Sequence, residues 1–110
     1  MKHKYTYVDG KKEGILREYW MNGQLKNIFN YINDKKEGLY KSYHNNGRLA
    51  MQFICINDIK EGIFKSYHKN GKLYVNCNFI NGLRNGKYIK YDNHGNVIEE
   101  CYYTNEKKMN

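Results

Sequence analysis

Three repeat positions, two of glycine and one of tyrosine, recur at one fixed interval along this chain. Gly14, Gly38, Gly62 and Gly86 stand 24 residues apart, and so do Gly23, Gly47, Gly71 and Gly95, and Tyr19, Tyr43, Tyr67 and Tyr91. A strict period of this length marks a repeat architecture in which each unit packs only on its neighbours. The unit reads Gly-apolar-aromatic-basic-x-Tyr-x-x-Asn-Gly-x-Leu, followed by an alternating stretch that ends Ile-Asn. The units are 14–37, 38–61, 62–85 and 86–109, with an N-terminal half-unit at 2–13, and together they form a single domain. In the fourth unit Asn-Gly becomes His94-Gly95 and Leu becomes Val97.

Each unit reads as a β-hairpin. Asn22-Gly23, Asn46-Gly47 and Asn70-Gly71 are strong hairpin signals, because a two-residue type I′ turn needs positive φ at both central positions. A turn centred there pairs Trp20 with Leu25, Glu18 with Asn27, Leu16 with Phe29 and Gly14 with Tyr31. Paired residues share a face. The same logic carried through Asn33-Asp34-Lys35-Lys36 sets Phe29 beside Tyr40. One face then carries Tyr5, Leu16, Phe29, Tyr40, Phe53, Phe64, Cys77, Tyr88 and Cys101. Beside this ladder, rings alternate with glycine (Tyr7, Gly14, Tyr31, Gly38, Cys55, Gly62, Phe79, Gly86, Tyr103), an arrangement in which a ring covers a residue without a side chain. Leu25, Leu49, Leu73 and Val97 complete this aromatic face.

The opposite face is expected to carry Arg17, Lys41 and Lys65 in one column and Tyr19, Tyr43, Tyr67 and Tyr91 in the next, with Lys26, Ala50, Tyr74 and Ile98 between them. Ile15, Leu39 and Ile63 form its apolar margin. Lys12, Lys36, Lys60, Arg84 and Lys108 set a cation at every unit junction. The fold class is all-β: an elongated, single, twisted antiparallel sheet of four hairpins plus an N-terminal strand. About nine strands at about 4.8 Å make it roughly 40 Å wide. A one-layer sheet leaves an apolar face open, and large exposed apolar patches mark interfaces.

Composition narrows the function. The 110 residues carry 19 Lys and Arg against 11 acidic residues, a formal charge of +8, which favours anionic partners. Cys55, Cys77 and Cys101 are odd in number and form no C-x-x-C, so a reducing compartment is expected. The N-terminus has no apolar signal region and no run reaches the roughly 18 apolar residues of a spanning helix. A cytoplasmic protein is the expectation.

The pattern Gly-x-aromatic-x-x-Tyr-x-x-Asn-Gly-x-Leu, with the junction Phe79-Ile80-Asn81-Gly82-Leu83-Arg84-Asn85-Gly86, resembles the MORN repeat. Its bacterial variant, in proteins labelled YwqK-family antitoxins, is the closer likeness, over residues 5 to 105. The resemblance implies hairpin arrays that bind proteins or lipids, and a cytoplasmic partner that is neutralised. Asp34, Asp58 and Glu106 depart from the junction glycine seen at Gly82.

No constellation for catalysis emerges, and no cofactor is expected. His44 and His68 share a column, but equivalent residues of adjacent units lie about 9.6 Å apart, too far to converge on one ion. Cys77 and Cys101 are likewise too distant for a disulfide and read as buried ladder residues. P-loop, dinucleotide and nucleophile-elbow motifs are absent.

The expected function is a non-enzymatic protein-binding repeat module, of which an antitoxin-like or phage-borne inhibitor of a bacterial toxin or defence nuclease is one form. Two surfaces are candidates. The first is the basic and tyrosine face: Arg17, Tyr19, Lys41, Tyr43, Lys65, Tyr67, Tyr74 and Tyr91. The second is the aromatic face: Trp20, Phe29, Tyr40, Phe53, Phe64 and Tyr88, which also offers a homodimer surface. The alternatives are single-stranded nucleic acid, RNA above all, held by basic and tyrosine columns, and weak association with anionic membrane.

Overall fold

In the computed structural model, which describes residues 3–8 and 10–109, the chain is all strand and turn. The strands are β1 (His3–Val8), β2 (Lys11–Tyr19), β3 (Leu25–Ile32), β4 (Lys35–Lys36), β5 (Gly38–Tyr43), β6 (Leu49–Ile56), β7 (Ile59–Tyr67), β8 (Leu73–Ile80), β9 (Leu83–Arg84), β10 (Gly86–Tyr91), β11 (Val97–Thr104) and β12 (Lys107–Met109). They form one antiparallel sheet in the order β1-β2-β3-β5-β6-β7-β8-β10-β11-β12, with the two-residue β4 and β9 on β3 and β8. The path holds one strand more than the expected nine, because β12 folds back on β11.

The mid-strand register is the one the alternation dictates. Leu16 pairs with Phe29, Tyr40 with Phe53, Phe64 with Cys77 and Tyr88 with Cys101. Their rings form a continuous stack, with centroids 5.4 Å apart for Phe29 and Tyr40, 4.6 Å for Tyr40 and Phe53, and 5.7 Å for Phe53 and Phe64. The buried residues Leu16, Phe29, Cys55, Cys77, Cys101 and Tyr103 all belong to this face. The side chains of Tyr5 and Tyr7 lie outside the described residues.

The turns differ from expectation. The Asn-Gly loops are three-residue loops: Trp20 N–H donates to Gln24 O at 2.7 Å, and Gly23 N–H to Trp20 O at 2.9 Å. Gly23 takes φ 87° while Asn22 stays at negative φ, the pattern of a turn closed by a glycine bulge. The Asn22 side chain sets this geometry by accepting the Gln24 N–H at 2.9 Å; Asn46 and Asn70 repeat it, and Asp92 takes the role in the fourth unit. The two-residue type I′ turn sits instead at the junctions, where Asn33 and Asp34 have φ of 56° and 70° and Ile32 pairs with Lys35.

The one-residue hairpin shift changes the faces, and the two-residue junction shift does not. Tyr19, not Trp20, pairs with Leu25, and Lys26 is the extra residue before Glu18 meets Asn27. Leu25, Leu49, Leu73 and Val97 therefore lie with the Tyr19 column on the opposite face, whereas Lys26, Ala50, Tyr74 and Ile98 move to the aromatic face. At the junctions, Tyr31 pairs with Lys36, Glu37 N–H donates to Asn30 O and Ile28 pairs with Lys41, so two extra residues, Gly38 and Leu39, bulge between them. The repeat glycines at these bulges have φ from 83° to 93°. A Cβ built at Gly14, Gly38, Gly62 or Gly86 meets nothing within 4 Å. Backbone conformation, and not a ring lying over them, is why these positions are glycine.

Both loop edges are laced from unit to unit. At the junction edge, Glu13, Glu37 and Glu61 carboxylates accept the N–H of Asn33, Asn57 and Asn81 at 2.6, 2.7 and 2.6 Å. Asp34, Asp58 and Glu106 accept the N–H of Lys12, Lys36 and Arg84. Those carboxylates offset the strain of a non-glycine at positive φ, which explains the departures from glycine there. At the hairpin edge Asn22, Asn46 and Asn70 each donate to a carbonyl of the next loop. So laced, the sheet measures 48 × 33 × 13 Å. A rotation of about 20° per strand would carry the end strands out of so thin a slab, so the sheet is nearly flat.

Candidate functional site

The aromatic face carries its own lid of cations. Lys36 Nζ lies 4.9 Å from the Phe29 ring centroid, Lys60 Nζ 5.1 Å from Phe53 and 5.2 Å from Phe79, and the Arg84 guanidinium 4.3 Å from Tyr103. Lys12 Nζ stands 5.0 Å from Tyr31. These cations reach the rings because the tight junction turn pairs Lys36 with Tyr31, on the side of Gly38 and Tyr40. Each contact is worth roughly 0.5–2 kcal/mol. The lid was not foreseen from the sequence; the shared parity of Lys36, Gly38 and Tyr40 is the signal that carries it. The aromatic face is thus the better covered of the two, and the rings stack on one another rather than offering open faces.

The structure places the predicted residues as follows. Phe29, Tyr40, Phe53, Phe64 and Tyr88 are on the aromatic face, as expected. Trp20 stands at its loop end, its ring under Lys26 Nζ at 4.7 Å and its Nε1–H donating to Tyr43 O at 3.0 Å. Tyr74, expected on the opposite face, is instead on the aromatic face, 4.4 Å from the His68 ring and 5.5 Å from Lys90 Nζ. Its displacement is the hairpin bulge seen from its second residue. Arg17, Lys41 and Lys65 are on the opposite face, with Tyr19, Tyr43, Tyr67 and Tyr91 in the neighbouring row.

That opposite face is the open one. Ile15, Leu39, Ile54 and Ile63 are 47%, 50%, 45% and 62% exposed, and nothing packs over them. Leu25, Ile28, Leu39, Lys41 and Tyr43 line a shallow depression there. A single row crosses it without a break: Arg17–Ile28–Lys41–Gln52–Lys65–Asn76–Ile89–Glu100. Charge runs along it from basic to acidic, and Glu100 also meets Lys87 Nζ at 3.6 Å.

His44, His68 and the cysteines have structural roles. His44 Nε2 and His68 Nε2 stand 2.8 and 2.9 Å from Tyr67 O and Tyr91 O, one rung each in the hairpin-edge lacing, so these nitrogens carry the proton. Trp20 occupies the equivalent rung. Burial pushes the Cys55 and Cys77 thiols up, against the pull of nearby Lys60. A protonated, enclosed thiol is a packing group and a poor nucleophile.

Comparison with protein families matches four copies of the MORN repeat variant, at residues 12–33, 36–53, 60–81 and 84–105, well over half of the chain. No curated protein matches it.

Proposed function

The chain belongs to the MORN repeat variant family, whose repeats are modules that bind proteins or membranes, and from that premise we propose that it is a non-enzymatic protein-binding module whose partner presents an acidic surface. The observation that carries this reading is the cation lid. Lys12, Lys36, Lys60 and Arg84 come one per unit, about 9–10 Å apart, each braced on a ring, with Arg84 also paired to Glu106, so that Lys36 and Lys60 lead the row. Bracing reduces the side-chain entropy lost on binding. A row of this spacing suits carboxylates arrayed on a protein surface, and the +8 charge speeds encounter with such a surface.

An antitoxin-like inhibitor that neutralises a toxin or nuclease fits within this class, acting in the cytoplasm where its three free cysteines stay reduced. Single-stranded nucleic acid is less well served by the aromatic face, because its rings pack stacked or edge-on against one another at 4.6 to 5.8 Å and carry cations, which leaves little ring surface on which a base could stack.

The test is capture from native lysate on the immobilised chain, followed by affinity measurement with the purified partner. The double variant Lys36→Glu, Lys60→Glu is expected to bind at least ten-fold more weakly, and wild-type affinity should fall with salt. Undiminished binding by the double variant, or a captured fraction that nuclease treatment removes, would overturn the proposal.

A further inference from the structure

We propose that two copies of this chain pack face to face through the surface opposite the aromatic ladder, about a two-fold axis parallel to the strands. The open aliphatic residues Ile15, Leu39, Ile54 and Ile63 need a cover, and the charge order of the central row says which cover fits. A two-fold axis parallel to the strands, midway between Gln52 and Lys65, reverses the row. Arg17 then faces Glu100 of the second copy, Ile28 faces Ile89, Lys41 faces Asn76 and Gln52 faces Lys65. No like charges meet, and the two ends of the row form a pair of ion pairs.

The flanking rows agree. In the tyrosine row, Tyr19, Tyr43, Tyr67 and Tyr91 alternate with Leu25, Leu49, Leu73 and Val97. The same operation sets every tyrosine of one copy over an aliphatic residue of the other. In the third row Ile15 meets Tyr102, Ile54 meets Ile63, Leu39 meets Asn78 and Asn30 meets Lys87, again with no like charges opposed. An axis laid across the strands along the central row fails, because Arg17, Lys41 and Lys65 would each meet themselves. The aromatic face needs no such cover, because its rings are already lidded by the chain's own Lys36, Lys60 and Arg84.

Flatness makes the contact continuous. With a thickness of 13 Å, the sheet keeps its end columns near the plane of its centre, so Arg17 and Glu100 reach their partners. Eight columns at about 4.8 Å over a band of about 20 Å give on the order of 750 Å² per copy, close to the usual extent of a stable interface. The result is an aligned two-sheet sandwich with the cation-lidded faces outermost, free for another partner.

Arg17 and Glu100 lie seven strands apart within one chain, roughly 34 Å, so any coupling between them is between copies. Light scattering on the eluting protein at about 100 µM should give twice the 13.2 kDa chain mass. Arg17→Glu and Glu100→Arg should each weaken self-association at least ten-fold. Mixing the two single variants should restore a dimer, as should combining both changes in one chain. Circular dichroism of each variant confirms that the sheet is intact. A wild-type chain that elutes as a monomer overturns the proposal. So does a dimer that either single variant leaves unchanged, or one that the mixture fails to restore. Both changes lie on the face away from Lys36 and Lys60, so loss of the dimer leaves the acidic-partner reading separately testable.

Discussion

Replacing Phe29 with alanine is expected to destabilise the chain by about 3 kcal/mol and to lower its Tm by about 15 °C. Phe29 is 8% exposed and lies at the heart of the ladder. It packs edge-on to Tyr31 at 5.3 Å, lies against Tyr40 at 5.4 Å and carries Lys36 over its ring at 4.9 Å. Truncation removes the transfer free energy of the ring and two ring contacts, and leaves Lys36 with only the more distant Tyr40 ring, 5.9 Å away, beneath it. The sheet has no second layer to collapse into the space, so relaxation recovers little. Met21, 97% exposed, provides the control: Met21→Ala should change stability by less than about 0.5 kcal/mol. Urea titration of the three proteins compares them directly. A loss below about 1 kcal/mol at Phe29 would mean that the ladder is not the core.

The second large effect is expected at a bulge glycine. Gly62→Val should destabilise by about 2–3 kcal/mol, while Gly62→Asn should cost about half as much. The two substitutions separate strain from crowding. The backbone at Gly62 has φ 83°, a region that a β-branched residue resists and asparagine tolerates. Space is not limiting, since an added Cβ there meets nothing within 4 Å. If crowding governed the site instead, the two side chains, similar in bulk, would cost about the same. Each bulge also keeps the cation before it on the ring side, because Gly62 and Ile63 are the two extra residues that leave Lys60 and Phe64 on one face. The valine variant should therefore lose acidic-partner binding at concentrations where it is still folded.

The molecule was legible in its sequence wherever one interaction decided the outcome. The alternation from Gly14 to Glu18 and from Asn27 to Tyr31 fixes the Leu16–Phe29 pairing, because a slip of one residue would turn the ladder to water. The turns were harder to read because Asn-Gly serves two loops. It favours a type I′ turn by φ alone, but the Asn22 side chain that accepts the Gln24 N–H selects the three-residue loop. That single extra residue exchanges the Leu25 and Lys26 columns and moves Tyr74 across the sheet. The type I′ turns lay at Asn33-Asp34 and Asn57-Asp58, where strain on a non-glycine residue is offset by a hydrogen bond from the neighbouring unit. Only stacked units show that bond. For the same reason the cation lid was hidden: Lys36 reads as a junction residue until the tight Asn33-Asp34 turn is known to pair it with Tyr31, beside Phe29. The alternating charge and polarity of the opposite face were in the sequence throughout, but the row from Arg17 to Glu100 becomes a surface only once eight strands are set in order.

The account depends on that row being continuous. Cross-strand nuclear Overhauser contacts in the folded chain test it most directly. The expected result is an unbroken series of short-range contacts linking Arg17 to Ile28, Ile28 to Lys41, Gln52 to Lys65, Asn76 to Ile89 and Ile89 to Glu100, together with a Tyr19–Leu25 contact at the hairpin end. Contacts joining Trp20 to Leu25, or a series that breaks at the Ile28–Lys41 junction, would contradict it.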